Sequence, residues 1–413
     1  MKHLAKATDY TRTRRPVPVA VFNSIGRSLR RIGFSKPLDA ESLLRYARSK
    51  CRSQGVEPFE FEEAFNTLVD SINREASLSS IGLAIQRMRL ANALVNHFKV
   101  LEFLASNPRV NEVDLGKIVL IAGLQRTGTT LLQRLLASHS QIRGISATSA
   151  MNPLATTNPG LRERLTPYMA ERTVSYLAPH FKAIHPVDSS APEEDVLLLD
   201  LCFMSQTPEA TMHVPSYSKW LEEQDHADAY EFFAKLLKIQ HTREPSRVWV
   251  LKSPHHLEYL DTFLSVFPNA TVIQTHRDPL KTIPSFSSMV CHARSIFSDH
   301  VDPREVSRHW FRKVERMARL SMCVRASSNA QNFVDVQYHE LIDDPVGILC
   351  NICSEAGIEF TKKDEDNALE CLRLNRKDRF GEHVYDLKDF GLDHEMIERR
   401  LGFYRQHYAI PYE

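Results

Sequence analysis

At 413 residues, 43% of them hydrophobic and 25% charged, the chain has an ordinary globular make-up and enough length for one large or two modest domains. A formal net charge of +1 excludes the global basic field of a nucleic-acid binder. Seven scattered cysteines suit a reducing, cytoplasmic setting better than a disulfide framework, and no apolar run approaches the roughly 18 residues of a membrane span.

The opening MKHLAKATDYTRTRRPVPVA lacks the apolar core and cleavage site of a secretory leader, but through about residue 50 the chain is rich in Arg and Lys. Val21, Phe22, Ile25, Leu29 and Ile32 fall at helical spacing, with Arg27, Arg30 and Arg31 crowding another face. Such a helix either lies on a membrane surface, making peripheral contact through its basic residues, or packs on the main domain with its cations solvated. Packing on the domain is the ordinary outcome and is the expectation here. Three further helices are predicted, in LDAESLLRYARSK, FEEAFNTLVDSINREA and IGLAIQRMRLANALVNHFKVLEFLA, each with apolar residues at 3–4 spacing. Asn107-Pro108 breaks the pattern, which sets a helical region over 1–112 before an α/β domain over 113–413.

From residue 117 short apolar, β-branched runs alternate with helical patterns: 117–123, 247–252, 270–276 and 332–338. Continuous apolar runs suit strands buried on both faces, and the alternation with helices implies a mostly parallel sheet. The stretch 145–245, with its Pro, aromatic and Met residues, is placed to build a substrate wall. Trp220, Tyr217, Phe203, Met204 and Phe181 are its candidates for an apolar pocket. Cys350 and Cys353 form one CxxC without a second pair, which reads as small residues on a helix. The tail, FGLDHEMIERRLGFYRQHY, is a last amphipathic helix.

The strongest local signal is IVLIAGLQRTGTTLLQRLLASH, 118–139. An apolar strand ends at Gly123, a polar loop holds Arg126, Thr127 and Gly128, and Thr129 and Thr130 open a helix. A loop of this kind aims backbone N–H groups and a helix N-terminus at one point, which makes an anion site. The spacing mimics a GxxxxGK[ST] phosphate loop, except that Thr129 replaces the lysine. Arg126 supplies the cation instead, and its fork suits a bridging oxygen and an oxyanion together. A second strand end, TVIQTHRDPLKTIPSFSSM, offers Arg277, then Asp278 as helix cap and Pro279 at the first helical position. Ser285 follows two turns later, so Arg277 and Ser285 are placed to bracket a second phosphate.

In these motifs the chain resembles the sulfotransferase family, in particular its bacterial branch with a PRTGTT-like loop. LQRTGTTLL (124–132) resembles the family's 5′-phosphosulfate loop and QTHRDPLKTIPS (274–285) its 3′-phosphate motif. VWVLKSPHHLEYLDTFLSVFPNA (248–270) is similar to the segment carrying a catalytic lysine, here Lys252, and VQYHELIDDP (336–345) to the one whose tyrosine meets adenine, here Tyr338. HVYDLKDFGL (383–392) is similar to the branch's C-terminal signature. The resemblance, over about 117–405, implies a P-loop-like parallel sheet flanked by helices. It also implies 3′-phosphoadenosine-5′-phosphosulfate (PAPS) as donor and a small-molecule, lipid or sugar acceptor. Two positions depart from the family: Leu131 stands where many relatives have an adenine-stacking tryptophan, and Ser149 where many bacterial relatives have a glutamate.

The implied reaction is in-line displacement at sulfur, with charge growing on the leaving oxygens. Arg126, Lys252, Thr129 and Thr130 are the expected stabilisers, and no metal is called for, because the sulfuryl group carries less charge than a γ-phosphate. An alcohol acceptor also needs a general base. His255 and His256, or Glu193 and Glu194, are the candidates, and family position favours His256 and Glu193. An ATP-dependent phosphotransferase and a non-catalytic nucleotide binder are the competing readings.

Overall fold

The predicted strands assemble into one parallel sheet: β1 (Lys117–Ile121), β3 (Val248–Lys252), β4 (Thr271–His276) and β5 (Phe333–Gln337), with a short edge strand β2 (Ile142–Gly144). Their order is β2-β3-β1-β4-β5, so the chain leaves central β1 towards one edge and returns to build the other. In open α/β sheets that reversal puts a ligand crevice at the carboxyl ends of the strands. The computed structural model describes residues 5–6, 15–34, 36–51, 59–154, 161–178, 181, 191–327, 333–375 and 383–413.

Side chains alternate across each strand, and here both faces are apolar. Ile118 and Leu120 of β1, with Trp249 and Leu251 of β3, join the larger core under the N-terminal helices. Val119, Ile121, Val248 and Val250 join a second core. That core also holds Leu132, Leu135 and Leu136 of α5 (Thr129–Ala137), and Leu349, Ile352 and Cys353 of the Pro345–Glu355 helix. Cys350 lies on the exposed side of the same helix.

The predicted N-terminal helices form as α2 (Ala40–Arg48), α3 (Glu62–Glu75) and α4 (Ser80–Ser106). Ser79 caps α4 by accepting from the Gly82 amide at 3.2 Å. These helices share an aromatic core with the 191–243 region, where Phe59 meets Phe203 with ring centroids 6.2 Å apart and Phe61 meets Phe232 at 6.0 Å. Tyr217, Phe203 and Met204 are consumed by that core rather than by a pocket, and Phe181 is also buried there. Trp220 packs partly buried against the core and donates to Glu63 at 3.2 Å.

The first helix, α1 (Val17–Arg31), does not pack as expected. It docks on the main body, but through polar groups: Asn23 is buried and accepts from the Ile81 amide, and Arg30 donates to the Leu78 carbonyl. Val19 is buried beneath it, while Val17, Val21, Phe22, Ile25 and Leu29 face outward.

Two long helices frame the crevice. One is α7 (Pro279–Phe297), which starts at the Asp278 cap, where the carboxylate accepts from Leu280 N at 2.8 Å. The other is α8 (Pro303–Ser327), packed against α7. The last helix, α11 (His394–His407), packs on both.

Candidate functional site

Register brings the chemistry-bearing residues together. Ile121, at the end of β1, pairs with Lys252 on one side and Ile273 on the other, so Lys252 stands beside the loop that joins β1 to α5. At the next interface His276 pairs with Gln337, which makes Arg277 and Tyr338 successive neighbours. The Arg277 guanidinium lies 3.9 Å from the Tyr338 ring centroid.

The loop between β1 and α5 is fixed by a close approach to β4. A Cβ on Gly123 would sit 1.9 Å from the Thr275 hydroxyl oxygen, so only glycine fits. Thr127 is turned into the same contact: its hydroxyl meets Thr275 Oγ1 at 2.6 Å and the Leu124 carbonyl at 2.6 Å. The Thr127 side chain therefore shapes the loop from behind. Arg126 takes a positive φ of 67° and Gly128 one of 93°, the turn that lifts the backbone amides into the helix start. A Cβ on Gly128 would come within 3.0 Å of the Tyr338 ring.

Arg126, Gly128, Thr129, Thr130, Arg277 and Tyr338 line a single cavity of about 520 Å³. The two arginine-bearing motifs thus face one space. Their pairing differs from expectation: Ser285 accepts from Arg126 Nε at 3.1 Å, while Arg277 Nη1 donates to the Arg126 carbonyl at 3.3 Å. Burial lowers the Arg126 pKa, with Tyr385 opposing and Arg277 adding to the drop.

Glu193 and Glu194 enter the cavity from a loop pinned to the sheet edge, where the Glu193 amide donates to the Ile145 carbonyl at 2.8 Å. Glu194 accepts from Lys252 Nζ at 2.6 Å, with Lys252 itself buried one layer behind the lining. Burial raises the pKa of Glu193; Lys252 opposes the rise and Glu194 adds to it. Glu193 is thus the carboxyl in the cavity tuned towards neutrality.

His256 is held away from this space. It is fully buried, with Nε2 at 2.6 Å from Asp195 Oδ1 and Nδ1 at 2.7 Å from the Tyr230 hydroxyl. Asp195 also accepts from the Lys252 backbone amide. The neighbouring His255 is buried too, and burial drives its pKa well below the usual histidine value. Ser149, at the departed glutamate position, bonds Ser146 and does not line the cavity.

Two contributors carried no sequence signal. The apolar wall comes from Phe286 and Met289 of α7 and Trp310 of α8, with Val196 and Leu197, and not from the predicted aromatic set. Glu413 grips Arg277 in a two-pronged pair, at 2.9 Å to Nε and 2.8 Å to Nη2. The Glu413 amide donates to Asp278, and Asp278 also pairs with Arg405 of α11 at 2.6 Å.

The profile of the Sulfotransferase family matches residues 119–362. An omega-hydroxy-beta-dihydromenaquinone-9 sulfotransferase, Stf3, from Mycobacterium bovis is 26% identical over 261 residues, 58% of this chain and 62% of the relative; its Mycobacterium tuberculosis counterpart matches equally. The chain therefore spans somewhat less than two thirds of the curated relatives it matches. Among solved structures, sulfotransferase STF1 from Mycobacterium tuberculosis superposes with a TM-score of 0.74 at 26% identity, over 89% of this chain and 99% of that one. Sulfotransferase STF9 from Mycobacterium avium gives 0.82 at 23% identity, over 92% and 99%, a likeness of fold.

The close approach at Gly123 yields a direct check. Gly123→Ala should lower stability by about 1–3 kcal/mol, because the new methyl must displace Thr275 or the loop. A drop in Tm in differential scanning fluorimetry would register it, and an unchanged Tm would refute the contact.

Proposed function

The chain belongs to the sulfotransferase family, and from that premise we propose that it moves a sulfuryl group from PAPS to a small acceptor bearing a hydroxyl or amine. The observation that carries this reading is the convergence of Arg126 and Arg277 on one cavity beside a lysine-free phosphate loop. One doubly phosphorylated adenosine has the charge distribution that such a pair receives. In this reading the loop amides, Thr129, Thr130 and Arg126 hold the 5′-phosphosulfate, and Arg277 takes the 3′-phosphate with Tyr338 beneath its guanidinium. Ser285 positions Arg126.

In the transfer, the acceptor oxygen forms a bond to sulfur as the bond from sulfur to the bridging phosphate oxygen breaks. The electron pair leaves on the 5′-phosphate, stabilised by Arg126 and Lys252. The acceptor proton passes to Glu193, whose raised pKa suits it as a base near neutrality. Glu194 keeps Lys252 oriented. His256 acts at one remove, fixing Asp195 and through it the Lys252 backbone. The apolar wall of Phe286, Met289 and Trp310 favours a lipid-like or aromatic alcohol over a sugar. The dihydromenaquinone derivative in the name of Stf3 is an acceptor of that kind. The seven free thiols support a cytoplasmic setting.

Calorimetric titration tests the donor assignment: adenosine 3′,5′-bisphosphate should bind and ATP should bind at least about tenfold more weakly, since no lysine clamps a β/γ-phosphate. The reverse order would reinstate a phosphotransferase.

Glu413 occupies the guanidinium that this reading gives to the 3′-phosphate, so the two anions compete. Glu413→Gln should tighten adenosine 3′,5′-bisphosphate by about fivefold, the worth of a half-exposed ion pair. Arg277→Ala should weaken it by at least about tenfold. Equal affinity in all three proteins would move the 3′-phosphate elsewhere.

For the base, Glu193→Gln should cut kcat about a hundredfold while leaving nucleotide affinity intact. The raised pKa also sets the pH dependence: Glu193 must be deprotonated to act, so the acid limb of kcat/KM should lie above the ordinary glutamate value of about 4.3. A limb at or below that value would exclude Glu193 as the base.

A further inference from the structure

An amphipathic helix on a globular protein turns its apolar stripe inward. In α1 the arrangement is reversed. With about 100° per residue, Val17, Ile32, Val21, Ile25, Leu29 and Phe22 fall on one continuous arc of roughly 140°. All six are exposed, with Val17 at 75%, Ile32 at 66% and Ile25 at 56%. Phe34, just past the helix end, is 74% exposed. The face towards the body is made of Val19, Asn23, Gly26 and Arg30.

This orientation is enforced by specific contacts. A Cβ at Gly26 would overlap Ser80 Oγ at 1.8 Å, so the helix lies flat against the start of α4. Asn23 caps into the Ile81 amide at 2.9 Å. Arg15, ahead of the helix, donates to the Ser295 and Ser298 carbonyls and pairs with Asp299 at 2.9 Å; Arg27 pairs with the same carboxylate at 3.0 Å. Rolling α1 to bury its apolar arc would break all of these.

An exposed apolar surface of this size calls for a partner. Charge identifies which. Between Asp9 and Asp39 the chain has no acidic residue, and it carries seven cations: Arg12, Arg14, Arg15, Arg27, Arg30, Arg31 and Lys36. Arg31 and Lys36 are exposed, and neither makes an ion pair among the described residues. A second copy is a poor occupant, because a two-fold interface would set this acid-free segment against itself. A bilayer with anionic headgroups satisfies both the arc and its basic flank.

We propose that α1 is an in-plane membrane anchor, with its outward arc bedded at the acyl boundary of an anionic bilayer and Arg31 and Lys36 at headgroup level. The proposal is independent of the sulfuryl-transfer reading. No helix among the described residues is long and apolar enough to cross a membrane, and an interfacial helix needs none.

Co-sedimentation of the full chain with phosphatidylglycerol-containing vesicles, against pure phosphatidylcholine vesicles, is the test. The protein should pellet with the anionic vesicles and at least about tenfold less with the neutral ones. The combined change Phe22→Ser, Ile25→Ser and Leu29→Ser should abolish binding with Tm unchanged, since these side chains point away from the body. Arg31→Glu with Lys36→Glu, which leaves the arc intact, should weaken binding at least about tenfold and remove its salt dependence. Equal pelleting of wild type and the serine variant would overturn the proposal. So would a wild-type dimer in light scattering that the serine variant dissociates, which would make the arc an interface between copies.

Discussion

Positive charge gathered in a small, partly dry space is the constraint around which this molecule is arranged. Arg126, Lys252 and Arg277 arrive from three neighbouring strand ends, and parallel register leaves them no freedom to separate. Burial and, to a lesser degree, the like charge of Arg277 both disfavour the charged form of Arg126. The fold answers with two carboxylates, Glu194 on Lys252 and Glu413 on Arg277, and with the face of Tyr338. The resting site is therefore close to balanced, so the doubly phosphorylated nucleotide proposed for it would enter by exchanging partners rather than by neutralising bare cations.

That balance explains why buried support is so dense behind the site. Asp195 receives the Lys252 amide and His256. Asp278 receives the α7 amide, Arg405 and the Glu413 amide. Each is a fully buried aspartate, which is tolerable only when every lone pair has a donor. Both sit beside a functional residue in sequence, so the pairing that keeps the carboxylate satisfied also locks the neighbouring side chain.

The sheet and the loop were legible because their signals are local. Apolar β-branched runs at 117, 247, 270 and 332 became strands within a residue or two, and Gly123, Arg126 and Gly128 form the tight turn from β1 into α5. What escaped was set by tertiary contact. The edge strand Ile142–Gly144 is too short to show periodicity. Ser285 stands at the spacing expected of a partner for Arg277, yet the loop carries Arg126 into its reach first. His256 follows Lys252 at a strand end, a plausible place for a base by sequence, and only the packing of Tyr230 and Asp195 takes it out of the cavity. Glu413 lies 136 residues from Arg277, a separation no local pattern spans. In α1 the amphipathicity was plain, but which side faced the body depended on Asn23, Gly26 and Ser80.

Helix α7 joins two features that otherwise look unrelated. Its first turn follows Arg277, and its last residues, Ser295 and Phe297, bear on Arg15 and Ser79 at the footing of α1. Nineteen residues at about 1.5 Å each make a strut of roughly 28 Å. A single element of secondary structure therefore runs from the Arg277 end of the cavity to the seat of α1. Under the anchoring proposed for α1, the cavity is tied to the bilayer through one helix rather than through a flexible linker.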